Sequence, residues 1–501
     1  MRPSHPRSIA FSLLLLLALF VSGGCDKTNP FVDHALNRLG YGPDPWSQAR
    51  IGELGSFDYL EEQLQWESID DDELDLLLVS YPSLTMDLET LFASYHSGPD
   101  ALGKPHEARQ ELRDAKILRA IYSRRQLAEV LTDFWFNHFN VDSSGNSMAL
   151  KTIHYENHAI RPHILGRFED MLLATARHPA MLEYLDNQVN FQEGLRDGNR
   201  TLGLNENYAR EIMELHTWGV NAGYSQADVM TVARAFTGWT STWVIHREWI
   251  GDGFLFLKEG HDSAEKTLMN GALYLPPGGG ESDGIQVIRF LARHPLTAER
   301  ISRKLVERFL DEDLSGPHRE LLIDELSELW VQTQGDLRAV TRRLFEEVIL
   351  SLDEQRTKVK RPLHFAASAV RAGRTSPSES PARLGFALTL MGENLYMTEP
   401  PTGLPEDSGH WASSSGLLHR LNGAASLIQA SLAFGFHLDV TQGSSEEIVD
   451  GAILQFTPSG LDPRIREEIV ASVDSMSRAT DLERAHTATT LVLSSPEFFT
   501  H

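Results

Sequence analysis

The side chains able to do chemistry crowd into one stretch, Asn205–Thr240, which reads NENYAREIMELHTWGVNAGYSQADVMTVARAFTGWT. Two carboxylates on one helix face can divide acid and base roles if burial separates their pKa values. Carboxylates combined with histidines can instead hold a hard or borderline divalent cation. At about 100° per residue, Tyr208, Ala209, Ile212, Met213 and Leu215 share an apolar face, and His216 falls on the same side. The opposite arc carries Glu206, Asn207, Arg210, Glu211 and Glu214. Within it, Glu206–Arg210–Glu214 and Asn207–Glu211 have i,i+4 spacing. An ordinary solvated face with a salt-bridge ladder has the same pattern. A histidine on an apolar face is more often a satisfied core residue than a catalyst. The catalytic reading requires the polar arc to face inward.

Other candidates lie outside that stretch. Phe134-Trp135-Phe136-Asn137-His138-Phe139 is an aromatic string that belongs in a core, so Asn137 and His138 must find hydrogen-bond partners there. They are either structural pins or site residues. His261-Asp262, with Lys266 four residues on, is a ligand or acid/base pair on one view and a turn on the other. His154 and His158 are spaced to share a metal on one helix face. However, Glu156 is not placed as in HExxH, and no third ligand is evident. The catalytic candidates are therefore Glu211, Glu214, His216, His138 and Asn137. Asn205, Glu206, Arg210, Trp239, His261, Asp262 and Lys266 are the ligand-binding candidates. A divalent metal would draw on His138, Glu211, Glu214, His261 and Asp262.

Helices must position these groups. Asn205 is a good N-cap for a helix that stops at Gly219, and Ser225 caps a second helix ending near Gly238-Trp239. Apolar residues at three-and-four spacing predict one long helix over Glu107–Phe136. Shorter helices are expected at about 148–164, 168–176 and 180–185, and again from 284 to the C-terminus. Trp243–Ile250 and Phe254–Leu257, with Gly251-Asp252-Gly253 between them, read as a β-hairpin. The expected class is all-α: a large multi-helix domain over 34–501 with one inserted β-hairpin, long enough for two lobes at about 34–240 and 280–501.

The N-terminus has a different character. Arg2 and Arg7 precede the apolar run Ile9–Val21, which falls short of the roughly 18–20 apolar residues of a membrane span. Ser22, Gly23 and Gly24 then lead into Cys25, the only cysteine. This order predicts a lipoprotein signal over 1–24 and lipidation at Cys25, with 25–33 as a tether. The chain is then exported and anchored by lipid to the bacterial cell envelope, and no thiol remains for a disulfide or a nucleophile. Without Arg2 and Arg7, 43 basic residues face 70 acidic ones, a formal charge of −27. Such an acidic surface argues against nucleic acid and against broad adhesion to anionic lipid. There is no GxSxG elbow, P-loop, GxGxxG turn or CxxCH haem site.

Several motifs occur in an order that resembles the bacterial domain of unknown function 1800 family. They are HALNRLGYGP (His34–Pro43), FWFNHFNV (Phe134–Val141), IRPHILGRFEDMLLATARHPAMLEYLDN (Ile160–Asn187), NENYAREIMELHTWGV with the following ARAFTGW, HDSAEK (His261–Lys266), HPLTAERISRKL (His294–Leu305) and KRPLHF (Lys360–Phe365). The family's HD motif continues as HDxGxK, whereas Ala264 stands at the glycine position here. Its PPxVxGWPGG-like loop is replaced by PPTGLPEDSGHW (Pro400–Trp411). The resemblance implies export and a helical fold, and it carries no established reaction. It also implies a shared envelope pathway with an exported protein of the phosphatase or sulfatase fold.

Two functions from different classes fit these residues. One is a hydrolytic or metal-assisted carboxylate/histidine site on an exported lipoprotein. The other is a non-catalytic helical scaffold or binding subunit of an envelope assembly. Convergence of the candidate groups in one pocket favours the first, and separate ion pairs favour the second.

Overall fold

Periodic apolar residues turn most of the chain into helices that feed a shared core. The computed structural model describes residues 30–96, 104–197, 200–310, 317–351, 358–373, 381–413, 416, 418–424 and 437–501. The export signal and Cys25 lie outside the described residues. Helix Pro30–Arg38 opens the described chain, taking in the end of the expected tether. Helix Lys104–Tyr122 packs on Asn146–Tyr155 and on Pro362–Ala372, burying Leu112, Ala115, Ile117, Leu118 and Ile121. Helix Pro295–Phe309 lies along Pro317–Thr333, which in turn meets Leu337–Leu350. The helices Ser445–Phe456, Pro463–Asp474 and Asp481–Leu493 pack on one another, and the first of them reaches Pro362–Ala372. One cluster of buried apolar residues runs from Ala35 to Phe499. Among the described residues no helix is long and apolar enough to cross a membrane.

The expected all-α class holds, with local corrections. The long helix predicted over 107–136 is two helices, Lys104–Tyr122 and Gln126–His138. Asp71, from a distant segment, separates them. Its carboxylate accepts from the Ser123 hydroxyl (2.6 Å) and from the Arg124 amide (2.8 Å), and so draws backbone groups away from the helical ladder.

The hairpin is also displaced. Strand Trp239–Ser241 pairs antiparallel with Phe254–Phe256, placing Trp239 opposite Phe256. Thr242–His246, overlapping the predicted strand, is a helical turn capped by Ser241 and closed by Arg247 at φ 63°. Two more short antiparallel pairs occur, Arg196–Asp197 with Arg200–Thr201 and Lys266–Leu268 with Leu273–Leu275. Strands this short carry too little alternation to be read from sequence.

A network of buried charges joins helices far apart in sequence. Asp133, on helix Gln126–His138, meets Lys116 (2.8 Å), Arg361 (3.1 Å) and Arg308 (3.5 Å). Arg361 also pairs with Glu393 (2.5 Å) and Glu406 (3.4 Å), and Arg308 pairs with Glu406 (3.2 Å). Burial alone would raise the Asp133 carboxyl. The surrounding Arg361, Lys116 and Arg308 outweigh burial and hold it below the usual carboxylate range. Asp133→Asn keeps the shape but leaves three buried cations around a neutral amide. The expected loss is about 3–5 kcal/mol, seen as a lower urea midpoint. A loss below about 1 kcal/mol would mean that the network contributes little to stability.

Candidate functional site

Helix Gln126–His138 carries Asn137 and His138 at its C-terminal end. Asn137 is a pin for the loop after Pro400. Its side-chain amide donates to the Leu404 carbonyl (2.9 Å) and to Glu406 Oε1 (3.0 Å), and its Oδ1 accepts from the Leu404 amide (2.7 Å). Gly403 has φ 73°, and a Cβ there would lie 2.4 Å from the Asn137 carbonyl, so only glycine fits this approach. The replaced family loop is thus docked on the FWFNH string.

His138 is buried with its ring stacked on Phe134 and edge-on to Trp135. Its Nε2 lies 3.1 Å from the His216 carbonyl, which can only accept, so Nε2 carries the proton. Nδ1 is then a lone pair facing Lys304 Nζ at 3.3 Å. Burial, then Lys304, His216 and Arg300, push His138 well below the usual histidine range.

The Asn205 stretch folds as helix Asn207–Glu211 followed without a break by a π-turn, Ile212–His216. Asn205 Oδ1 accepts from the Asn207 amide (3.0 Å). At the far end the Thr217 hydroxyl donates to the Ile212 carbonyl (2.6 Å), and the Gly219 amide donates to the Met213 carbonyl (3.0 Å). These bonds hold the widened turn, a form that recurs at functional sites. The expected ladder is present, on an arc that is half-buried rather than freely solvated. Arg210 pairs with Glu206 (2.7 Å) and Glu214 (3.5 Å), and Gln226 bonds to both Glu206 and Arg210.

Glu211 stands apart from that ladder. It is half-buried and, among the described residues, makes no ion pair or hydrogen bond. Burial and Glu214 push its carboxyl up, against a smaller pull from Arg210. Burial and Glu214 also move the nearby Tyr224 hydroxyl up to about 12.

His216 is 1% exposed, and its Nε2 has no hydrogen-bond partner. Burial, then Lys304 and Arg300, push it down to about 3. Both cations come from helix Pro295–Phe309, one turn apart. Arg300 donates to the Leu215 carbonyl (3.3 Å), and its Nε is buried without a partner. Burial lowers Lys304 to about 8. Neither Arg300 nor Lys304 forms an ion pair among the described residues. Both lie in the HPLTAERISRKL motif, where their i,i+4 spacing reads as an ordinary solvated basic pair. Only the histidines beneath them reveal more.

The remaining candidates form a second group. Lys266 donates to Asp283 Oδ2 (2.8 Å) and to the carbonyls of Asp262 (2.5 Å) and Ala264 (3.0 Å). His261 lies between the Thr237 carbonyl (2.8 Å) and Asp283 Oδ2 (3.3 Å), and Asp262 pairs with Arg234 (2.6 Å). Ala264 is not among the residues with positive φ, so its position does not require the family's glycine. Trp239 is buried with the Arg177 guanidinium over its ring at 5.5 Å. Neither His261, Asp262, Lys266 nor Trp239 shares a hydrogen bond, ion pair or ring contact with His138 or His216.

His154 and His158 stack at 3.8 Å, and His154 Nδ1 lies 2.9 Å from Nε2 of a third histidine, His178. His178 Nδ1 accepts from the Ala180 amide (3.1 Å) and so caps a helix. Among the described residues no three His, Cys, Asp or Glu side chains form a group that could hold a metal ion.

These buried neutral histidines set an acid limit on stability. The unfolded chain takes up a proton on His216 near pH 6.5, whereas the folded chain refuses it until about pH 3. Stability therefore falls as pH drops through that window. His138, His178, His364 and His501 act in the same sense, each held well below the usual range by burial first. His216→Gln should flatten the pH dependence of the urea midpoint by up to about one proton. An unchanged slope would mean that His216 is protonated in the folded state.

No curated protein and no solved structure matches the chain. The sequence model of one family, described as protein of unknown function (DUF1800), matches residues 34–500, nearly the whole length. That match takes in both groups of candidate residues as well as the charge network. The chain belongs to the DUF1800 family.

Proposed function

We propose that this chain is an exported, lipid-anchored protein that handles a small ligand by acid–base chemistry of the hydrolytic kind, at a site built from Glu211, Glu214, His138 and His216. The observation that carries this reading is the unequal state of the two carboxylates. Glu214 is ion-paired to Arg210, while Glu211 is half-buried, unpartnered and pushed up. Environments that separate two carboxyls in this way are how one site obtains both an acid and a base. His138 and His216 bring neutral imidazoles to the turn that follows. The acid–base version is better supported than the metal-assisted one, because the five metal candidates divide between two groups of side chains.

Export rests on the apolar run Ile9–Val21 and the small residues before the single Cys25. A second reading, a non-catalytic scaffold or binding subunit, draws support from the His261–Asp283–Lys266 cluster, whose charges are satisfied within the fold. An exported protein of the phosphatase or sulfatase fold is the partner proposed for either reading.

Two experiments test this. Untargeted mass spectrometry of an envelope extract incubated with the chain should show a consumed compound. Glu211→Gln should slow its loss by about a hundredfold without lowering the melting temperature. Equal consumption by both proteins, or none by either, would overturn the acid–base reading. For localisation, Cys25→Ser should move the chain from the membrane fraction to the soluble or uncleaved pool. An unchanged distribution would remove the lipid anchor.

A further inference from the structure

We infer that Arg300, Lys304 and His216 form a binding site for an anionic group of the ligand, a phosphate, sulfate or carboxylate. This rests on the reading that the same site handles a small ligand, and it supplies the ligand's chemical class.

Cations withdrawn from water are normally paired, because an uncompensated charge in a low-dielectric surrounding is costly. Many of the cations withdrawn from water in this protein follow that rule. Arg361 and Arg308 are paired, Lys116 meets Asp133, Lys151 meets Glu183 and Lys266 meets Asp283. Arg300 and Lys304 break it side by side. Arg300 spends one bond on the Leu215 carbonyl and leaves Nε buried without an acceptor. Among the described residues, the hydrogen-bond partner of Lys304 is an imidazole lone pair, His138 Nδ1. Glu406 and Glu307 act on Lys304 only at longer range than an ion pair.

A second observation points the same way. His216 is almost wholly buried beside these cations, yet its Nε2 has no partner. A guanidinium, an ammonium and an imidazole N–H make a donor set suited to an oxyanion, with the planar guanidinium able to engage two oxygens. Because Arg300 and Lys304 are only half-buried, an anion can reach them from solvent. An anion seated there would satisfy both cations and the orphaned ring nitrogen together. Glu211 remains outside this donor set, free to act on the group that the anion anchors.

The test is isothermal titration of the purified chain with sodium phosphate, sulfate and acetate at low ionic strength, with chloride as the reference. One saturable equivalent of at least one oxyanion is expected. Phosphate or sulfate without acetate assigns a tetrahedral group, and acetate binding assigns a carboxylate. Lys304→Met and Arg300→Met should each weaken binding by at least about tenfold. Melting temperature separates this from misfolding: removing an unpaired cation should leave it unchanged or raise it, whereas removing a structural partner would lower it. Glu211→Gln should bind the anion as the parent does. No saturable binding of any oxyanion, or undiminished binding in the double variant, overturns the inference. Absent anion binding beside Glu211-dependent turnover would leave the acid–base site standing with a neutral ligand. Anion binding without any turnover would do the reverse.

Discussion

The ion network centred on Asp133 and Arg361 is the constraint on which the rest of this fold depends. It links the helix that ends in Asn137 and His138 to helices starting at Lys104, Pro295 and Pro362 and to the loop around Glu406. Apolar contacts alone would allow these helices to slide with little penalty, since packing tolerates exchange among similar shapes. Buried charges do not, because each partner displaced leaves another stranded. The network therefore fixes register as much as it adds stability. It also explains the position of the Pro400 loop. Glu406 is held from below by Arg308 and Arg361, and Asn137 holds the same loop by its Leu404 backbone.

The candidate site is the neighbouring region in which this pairing lapses. Helix Pro295–Phe309 contributes Arg308 to the network and, one and two turns earlier, Lys304 and Arg300 to the cluster beside His216. A single helix thus carries two compensated cations, Arg303 and Arg308, and two without an ion pair among the described residues. That contrast within one element separates cations that hold the fold from those proposed to meet a ligand more clearly than residue type does.

Much of this was legible in the sequence. Three-and-four spacing located most helices, the Ser225 cap is present as a capping box, and the wheel placed His216 on the buried side and the Glu206–Arg210–Glu214 ladder on the opposite, half-buried one. What was hidden depends on partners distant along the chain. Asp71 splits a helix that is periodic throughout, and no local signal announces it. His178, sitting in a helix cap, meets His154 only after folding. Arg300 and Lys304 look solvated until the histidines beneath them are known. Asn137 looked like a catalytic amide, and its three bonds to the 404–406 segment are those of a clamp.

The π-turn at Ile212–His216 has one more implication. A π-turn is an α-helical turn with one residue too many, and such a residue shifts everything after it by about 100° around the axis. Deleting one residue between Ile212 and Leu215 would restore a more regular helix and swing His216 out of register with His138. Here the less regular backbone is the one that brings the two imidazoles together, so a gain in helical order would dismantle the site.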